Sequence, residues 1–418
     1  MMSTGQNALR RFGDSLIGCW GDRTLQSERE SLTLRELLDK PWMRADTAVG
    51  DAARYFADTL AGNLGAAIYT DKYLPIIRGQ PPEHPRPFLS VVMRTQLYRP
   101  ETLTEALLSL TAQSDRDFEV LLIPHKVEDS ALAEIRAIVE SFPPSFQAQI
   151  RLLPLNEGNR TAPLNYGFAN AWGEYASVLD DDDVVMDHWV ADFREGAVKS
   201  PCTVVRAYAV NQDWKTVRTA DGERALSAAS APRADYCKPY SAFIQTRVNR
   251  CPIFSLAFPL YATRELGYLF NEELTTTEDW DFVRRVTALC GVTEIPRVTG
   301  IYRLWTDGKT SHSTHRQEEW KRNYDRITDA QNSYPILTRR SEADAVEHLS
   351  YLADADIPIE QLTSGESGKD KTIRDLESII KAQKVTIAAL ETKSFQGRLV
   401  RTARLIFHRI RGDGGGDA

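Results

Sequence analysis

Glu174-Tyr175-Ala176-Ser177-Val178-Leu179-Asp180-Asp181-Asp182-Asp183-Val184-Val185 is the stretch on which the reading of this 418-residue chain turns. Tyr175 to Leu179 is too short for a helix and has the length and composition of a buried strand. Four consecutive carboxylates at its carboxyl end repel one another unless a cation sits among them. Hard oxygen ligands suit Mg²⁺ or Mn²⁺, which borrow further ligands from a substrate phosphate. In open α/β sheets, ligands bind outside the carboxyl ends of the strands. The stretch therefore reads as a metal-diphosphate site at a strand end. A solvated acidic turn, or a helix amino-terminus favouring negative charge, would also accommodate it.

The segment before the aspartates alternates strand and helix. Phe88 to Met93 reads as a buried strand, ending in the polar loop Arg94 to Pro100. Thr102 to Gln113 follows as an amphipathic helix with Leu103, Ala106, Leu107 and Leu110 on one face. Phe118 to Ile123 is a second strand, Ser130 to Ser141 a helix, and Ile150 to Leu155 a third strand. Asn156 to Arg160 then leads into a helix from about Ala162 to Ala171, closed by Gly173. This alternation predicts a doubly wound, mostly parallel sheet. No G-x-G-x-x-G follows the first strand and no P-loop is present, which disfavours dinucleotide oxidoreduction and P-loop phosphoryl transfer.

Beyond the aspartates, Thr203 to Val210 is expected to be a strand, followed by a polar loop from about Thr216 to Arg233. Glu272 to Phe282 is a second carboxylate cluster. Its Glu278 and Asp279 fall at the first turn of a helix, Trp280 to Leu289, where simple helix capping also explains them. Tyr302 to Trp305 precedes Thr306 to His315, a loop rich in donors; Lys309, His312 and His315 in it point to phosphate or metal contact.

In this order the pieces resemble the family 2 glycosyltransferases, nucleotide-sugar transferases of the GT-A (Rossmann-like) fold. The resemblance covers roughly residues 86 to 325. It rests on Leu89-Ser90-Val91-Val92-Met93 with Thr95, Arg99 and Pro100; on Asn156, Gly158, Arg160, Asn165 and Gly167; on Gly173-Glu174-Tyr175 running into the aspartates; and on Glu278-Asp279-Trp280-Asp281. It implies that Asp180, Asp182 and Asp183 hold a divalent metal, Mn²⁺ or Mg²⁺, on the donor diphosphate, with His312 as a further ligand. Asp279 is implied as the catalytic base of an inverting displacement. Thr95, Arg99, His125, Arg160, Asn165, Asp181 and Lys309 are expected on the donor side, and Glu278 and Trp280 on the acceptor side. The chain departs from the family where the second strand ends. Pro124-His125-Lys126 stands in place of the usual aspartate pair, so the nucleobase contact is missing or comes from Glu128 or Asp129. Both UDP- and dTDP-linked donors stay open. A sugar nucleotidyltransferase would show a glycine-rich loop after the first strand, which Arg94-Thr95-Gln96 lacks. A degenerate domain serving as a scaffold is the reading from another class.

Composition sets the outer limits. Hydrophobic residues are 42% and charged residues 26%, as in globular proteins, and the net charge of −7 gives no case for nucleic-acid binding. Five scattered cysteines have neither zinc nor redox spacing. No signal-peptide core or run of about 18 apolar residues is present, so a cytoplasmic protein is expected. The organisation expected is a helical extension over 1–85, a transferase domain over 86–330, a helical linker over 331–365, a tail over 366–411, and a disordered end over 412–418. The tail carries a heptad-like seam, Ile373, Leu376, Ile380, Ile387 and Leu390, which leaves a homo-oligomer open. After it come Arg398, Arg401, Arg404, Arg409 and Arg411, with no acidic residue between Lys393 and Gly412. Such a basic amphipathic helix suits an anionic membrane surface at the inner face of the plasma membrane. The Gln-x-x-Arg-Trp signature of processive synthases is absent, since Gln317-Glu318-Glu319-Trp320 does not match it. A non-processive enzyme acting on a glycan or lipid-linked glycan, as in bacterial surface polysaccharide assembly, is the expectation.

Overall fold

The computed structural model describes residues 69–80, 86–222, 224–264, 267–308 and 316–331. Expectations for residues 1–68 and 332–418, the heptad seam and basic tail among them, lie outside the described residues. A π-helical turn, Tyr69–Tyr73, runs into helix α1, Leu74–Arg78. Strand β1, Leu89–Thr95, is followed by α2, Pro100–Thr111, whose proline occupies the first turn where a missing N–H costs nothing. Then come β2 (Phe118–Pro124), α3 (Asp129–Glu140), α4 (Pro144–Gln147), β3 (Ile150–Leu152), α5 (Ala162–Asn170), β4 (Tyr175–Val178), the short β5 (Val184–Val185) and α6 (Trp189–Lys199). The second half holds β6 (Val204–Arg218), β7 (Arg224–Ala228), α7 (Ala242–Arg247), β8 (Leu256–Pro259), α8 (Tyr261–Arg264), α9 (Glu278–Cys290), β9 (Val292–Trp305) and α10 (Gln317–Gln331).

The strands form one sheet in the order β3-β2-β1-β4-β8-β6-β9-β5, with β7 paired to β6. The first four strands are parallel, as the alternation predicts. The rest is mixed: β8 runs antiparallel to both β4 and β6, while β6 and β9 are parallel to each other. The expected sheet is present: most paired residues lie in parallel pairings, and every antiparallel pairing involves a strand of the second half. The polar loop expected over Thr216 to Arg233 is instead largely a hairpin, in which Trp214 to Arg218 pair with Arg224 to Ala228. Strand β9 tolerates Pro296 because the register jumps there: Ala207 pairs with Ile295 and Tyr208 with Val298, leaving Pro296 and Arg297 in a bulge.

Side chains alternate across the buried strands, so both faces carry a core. Val91, Met93, Val120 and Leu122 meet α2 and α6 through Leu103, Leu107, Leu110, Trp189 and Phe193. Val92, Leu121, Ile123, Ala176 and Val178 meet α5 and α9 through Leu164, Phe168, Phe282 and Val286. Gly167 lets α5 approach β1: a Cβ there would lie 2.4 Å from a methyl of Val92. Phe282 anchors α9, stacked on Phe270 at 3.8 Å and set edge-on to Phe168 and Phe258. That anchor places the first turn of α9 beside the ends of β1 and β4.

Among the described residues, no helix is long and apolar enough to cross a membrane. The turn before α1 docks on the same face: Tyr73 donates to Glu272, and Lys72 lies 3.2 Å from Glu157.

Candidate active site

The chain switches direction around β1: β2 lies on one side of it and β4 on the other. Ligands bind at such switch points, in the crevice beyond the carboxyl strand ends. Here that crevice is lined by Thr95 from β1, His125 just past β2, and Asp180 to Asp183 past β4. Thr95 bridges the switch, its hydroxyl donating to the Asp181 carboxylate. Strained backbone gathers here too. Leu97, Lys126 and Thr277, all non-glycine residues in the left-handed region, follow β1, follow β2 and precede α9.

An ionic network ties the crevice together. The Nε of Arg94 lies 3.1 Å from Asp180, and its Nη1 lies 3.1 Å from Glu278. Arg160 approaches Glu278 from the other side at 3.0 Å, and its carbonyl accepts from Arg94 at 2.7 Å. One buried glutamate thus joins the ends of β1 and β4, the loop before α5 and the first turn of α9. Burial alone would push the Glu278 carboxyl up, but Arg160 and Arg94 outweigh it and hold it below the usual range.

Its neighbour Asp279 behaves oppositely. Burial and the adjacent Glu278 charge push its carboxyl up to about 6. Two sequential carboxylates held apart in this way are the pattern of an assigned structural charge beside a usable base. Within the aspartate run, burial and the charge of neighbouring carboxylates push Asp181 up to about 6 and Asp182 up to about 7. At a pH above 7 these groups ionise against one another, and a cation would relieve them.

The expected site residues differ in burial and in partners. Arg99 stacks on Trp305 at 4.3 Å, donates to the Asp307 carbonyl at 2.7 Å, and lies close enough to Asp182 to favour its charged form. His125 is buried and its pKa is lowered by that burial; its Nε2 lies 3.0 Å from the Glu157 carbonyl. Asp183 turns inward, 1% exposed, and its Oδ1 accepts the Arg303 backbone N–H at 2.8 Å. Asn165 is fully buried, its amide bonded to Phe270 and Glu272, so it holds a loop rather than a donor. Glu278 is enclosed by two arginines. Trp280 is buried, its indole donating to the Gln245 carbonyl at 2.6 Å and its ring stacked on Tyr324. Both residues thus hold the first turn of α9 in position. Lys309 and His312 lie outside the described residues.

Residues 90–254 match the family model described as Glycosyl transferase family 2. That span, less than half of the chain, is what it shares with the family 2 glycosyltransferases. The matched span holds the parallel strands, the switch point and the aspartates, and ends before α9. Among solved structures the domain is similar to S. aureus TarS. Residues 1–349 of TarS in complex with UDP align at 16% identity with a TM-score of 0.40, covering 52% of this chain and 60% of that one. The same segment in complex with UDP-GlcNAc aligns at 16% identity and 0.44, covering 59% and 72%, and without ligand at 16% and 0.43, covering 71% and 80%. A comparison with curated proteins finds no match.

Two residues of the candidate site carried no signal in the sequence. Arg94 read as the start of a polar loop but belongs to β1, 16% exposed at the centre of the network. Asn249, which donates to Asp279 at 2.9 Å, sits in an unremarkable stretch after α7.

Proposed function

We propose that this domain transfers a sugar from a nucleoside-diphosphate donor to a hydroxyl of a glycan or lipid-linked glycan, inverting the anomeric carbon. One observation carries the reading: Asp279, a partly exposed carboxylate raised to about 6, stands across the Arg94–Glu278–Arg160 network from the aspartate run. A base needs a pKa close to the working pH and access to its substrate. Asp279 takes the acceptor's proton as that oxygen bonds to the anomeric carbon. The carbon–oxygen bond to the diphosphate breaks on the opposite face, and the nucleoside diphosphate leaves. Arg160 and Arg99 are placed to meet the negative diphosphate, and Thr95 holds Asp181 to the floor of the crevice.

The residues present fit Mn²⁺ or Mg²⁺ under one condition. Among the described residues no three carboxylates, histidines or cysteines converge on one point. Asp180 and Asp182 supply hard oxygens, and the donor diphosphate would complete the set, as these ions commonly require. When bound, the ion would offset charge developing on the leaving diphosphate. UDP- and dTDP-linked sugars are the donors proposed, and surface polysaccharide assembly beside an anionic membrane is the setting.

The test is release of nucleoside diphosphate from a panel of UDP- and dTDP-sugars, with Mn²⁺ and with a chelator, across pH. Because the base acts ionised, kcat/KM is expected to rise with pH through about 6 and then level off. A rate that is flat from pH 5 to 8 under the same conditions would overturn the base assignment.

A further inference from the structure

Asp279 is held by a short chain of amides. Asn249 donates from Nδ2 to Asp279 Oδ2 at 2.9 Å. Its Oδ1 accepts two N–H groups, the Cys251 backbone at 3.1 Å and Gln245 Nε2 at 3.0 Å. A flipped amide would set its NH₂ against two donors, so the orientation is forced by the network. Gln245 is fixed by the same logic: it is 1% exposed, and its Oε1 accepts the Arg250 N–H at 3.1 Å, which turns Nε2 towards Asn249. Its carbonyl also receives the Trp280 indole, so α7 is bonded to the first turn of α9 through both residues flanking this contact.

We infer that Asn249 is the positioning residue of the base, with Gln245 fixing Asn249 in turn. The inference rests on Asp279 acting as the base. A bond that persists on Oδ2 sets the direction of Oδ1 and reserves Oδ1 for the acceptor's proton. The choice of a neutral donor has a chemical reason. A guanidinium in its place would pull basicity down, as Arg94 and Arg160 do for Glu278 one residue earlier. An amide favours the ionised carboxylate while leaving it able to take a proton.

The other groups facing Asp279 are Glu278 on its own helix, Arg160 before α5, Asp180 past β4, Cys251 after α7, Tyr236 after β7 and Tyr302 on β9. Of these, Cys251 also bonds Asn249, through its backbone N–H. The pH dependence of melting temperature, measured on the full chain from pH 4 to 8, isolates the effect. The difference between Asp279→Asn and the unaltered chain reports the titration of Asp279. Its carboxyl is raised in the fold, so ionising it costs stability: the difference grows as pH rises from about 4, the usual aspartate value, and levels off once pH passes the folded value of about 6. In an Asn249→Ala background the pH at which the difference levels off is expected to move up by about one unit, a tenfold change in proton affinity. Asn249→Asp moves it further, and Gln245→Leu moves it less in the same direction. A loss of melting temperature that is equal at every pH, with the levelling-off point unmoved in all three backgrounds, overturns the positioning role and leaves the base reading intact. A difference that fails to titrate near 6 in the unaltered chain overturns the base reading itself.

Discussion

Asp279→Asn is expected to lower the turnover number for transfer by about 10²–10⁴-fold while leaving donor affinity within a few-fold, the range that general-base assistance supplies. The substitution keeps the size and one hydrogen-bonding oxygen, so the Asn249 contact and the first turn of α9 survive. What disappears is the ability to take a proton. The donor-side groups, Thr95, Arg99, Arg160 and the aspartates, lie on other elements and are untouched. The loss therefore falls on the turnover number and not on KM. Steady-state kinetics with a fixed donor, alongside direct donor binding, separates the two. Equal losses in binding and turnover would mean that Asp279 holds the donor rather than activates the acceptor.

The second large effect is on stability. Arg94→Met is expected to cost about 3 kcal/mol, at the lower end for breaking a buried ion pair, because Arg160 still reaches Glu278. The change strips Glu278, whose side chain is 3% exposed, of one of its two cations. It also leaves Asp180 to the repulsion of Asp181 and Asp182. Replacing both partners, Arg94→Met with Glu278→Leu, is expected to cost less than Arg94→Met alone, since the deeply buried Glu278 charge is then removed along with its cation. Urea unfolding midpoints of the single and double variants decide the matter. A double variant less stable than the single one would show that Glu278 holds the fold without Arg94.

The parallel half of the sheet was legible because buried parallel strands are short apolar runs between turn residues, and Leu89–Thr95 and Phe118–Pro124 are of that kind. The mixed half was not. The outer half of β6 is partly exposed and polar, and β9 carries Pro296 and Arg297; neither reads as strand without knowing that the two pair along most of their length. Helix α10 was missed for a similar reason. It is polar almost throughout and held by a few contacts, Ile327 and the stacking of Tyr324 on Trp280. At the site, four adjacent aspartates announce themselves, and Asp279 came with the family resemblance. Which aspartate faces inward could not be read locally, because Asp183 is decided by a bond to Arg303, 120 residues away. Arg94 was hidden likewise, its partner Glu278 lying 184 residues on.

The most direct measurement is the melting temperature of the full chain with Mn²⁺ alone, with UDP or dTDP alone, and with both, at a pH above 7 where Asp182 is ionised. Asp180 and Asp182 need the diphosphate to complete a metal site, so metal alone should do little. The pair should stabilise by more than the sum of its parts, by about 2–3 kcal/mol at ligand concentrations near 100 times Kd. Asp182→Asn should remove that excess. The same shift with and without Mn²⁺ would contradict the metal-diphosphate site, and no shift with any nucleotide would contradict the transferase reading as a whole.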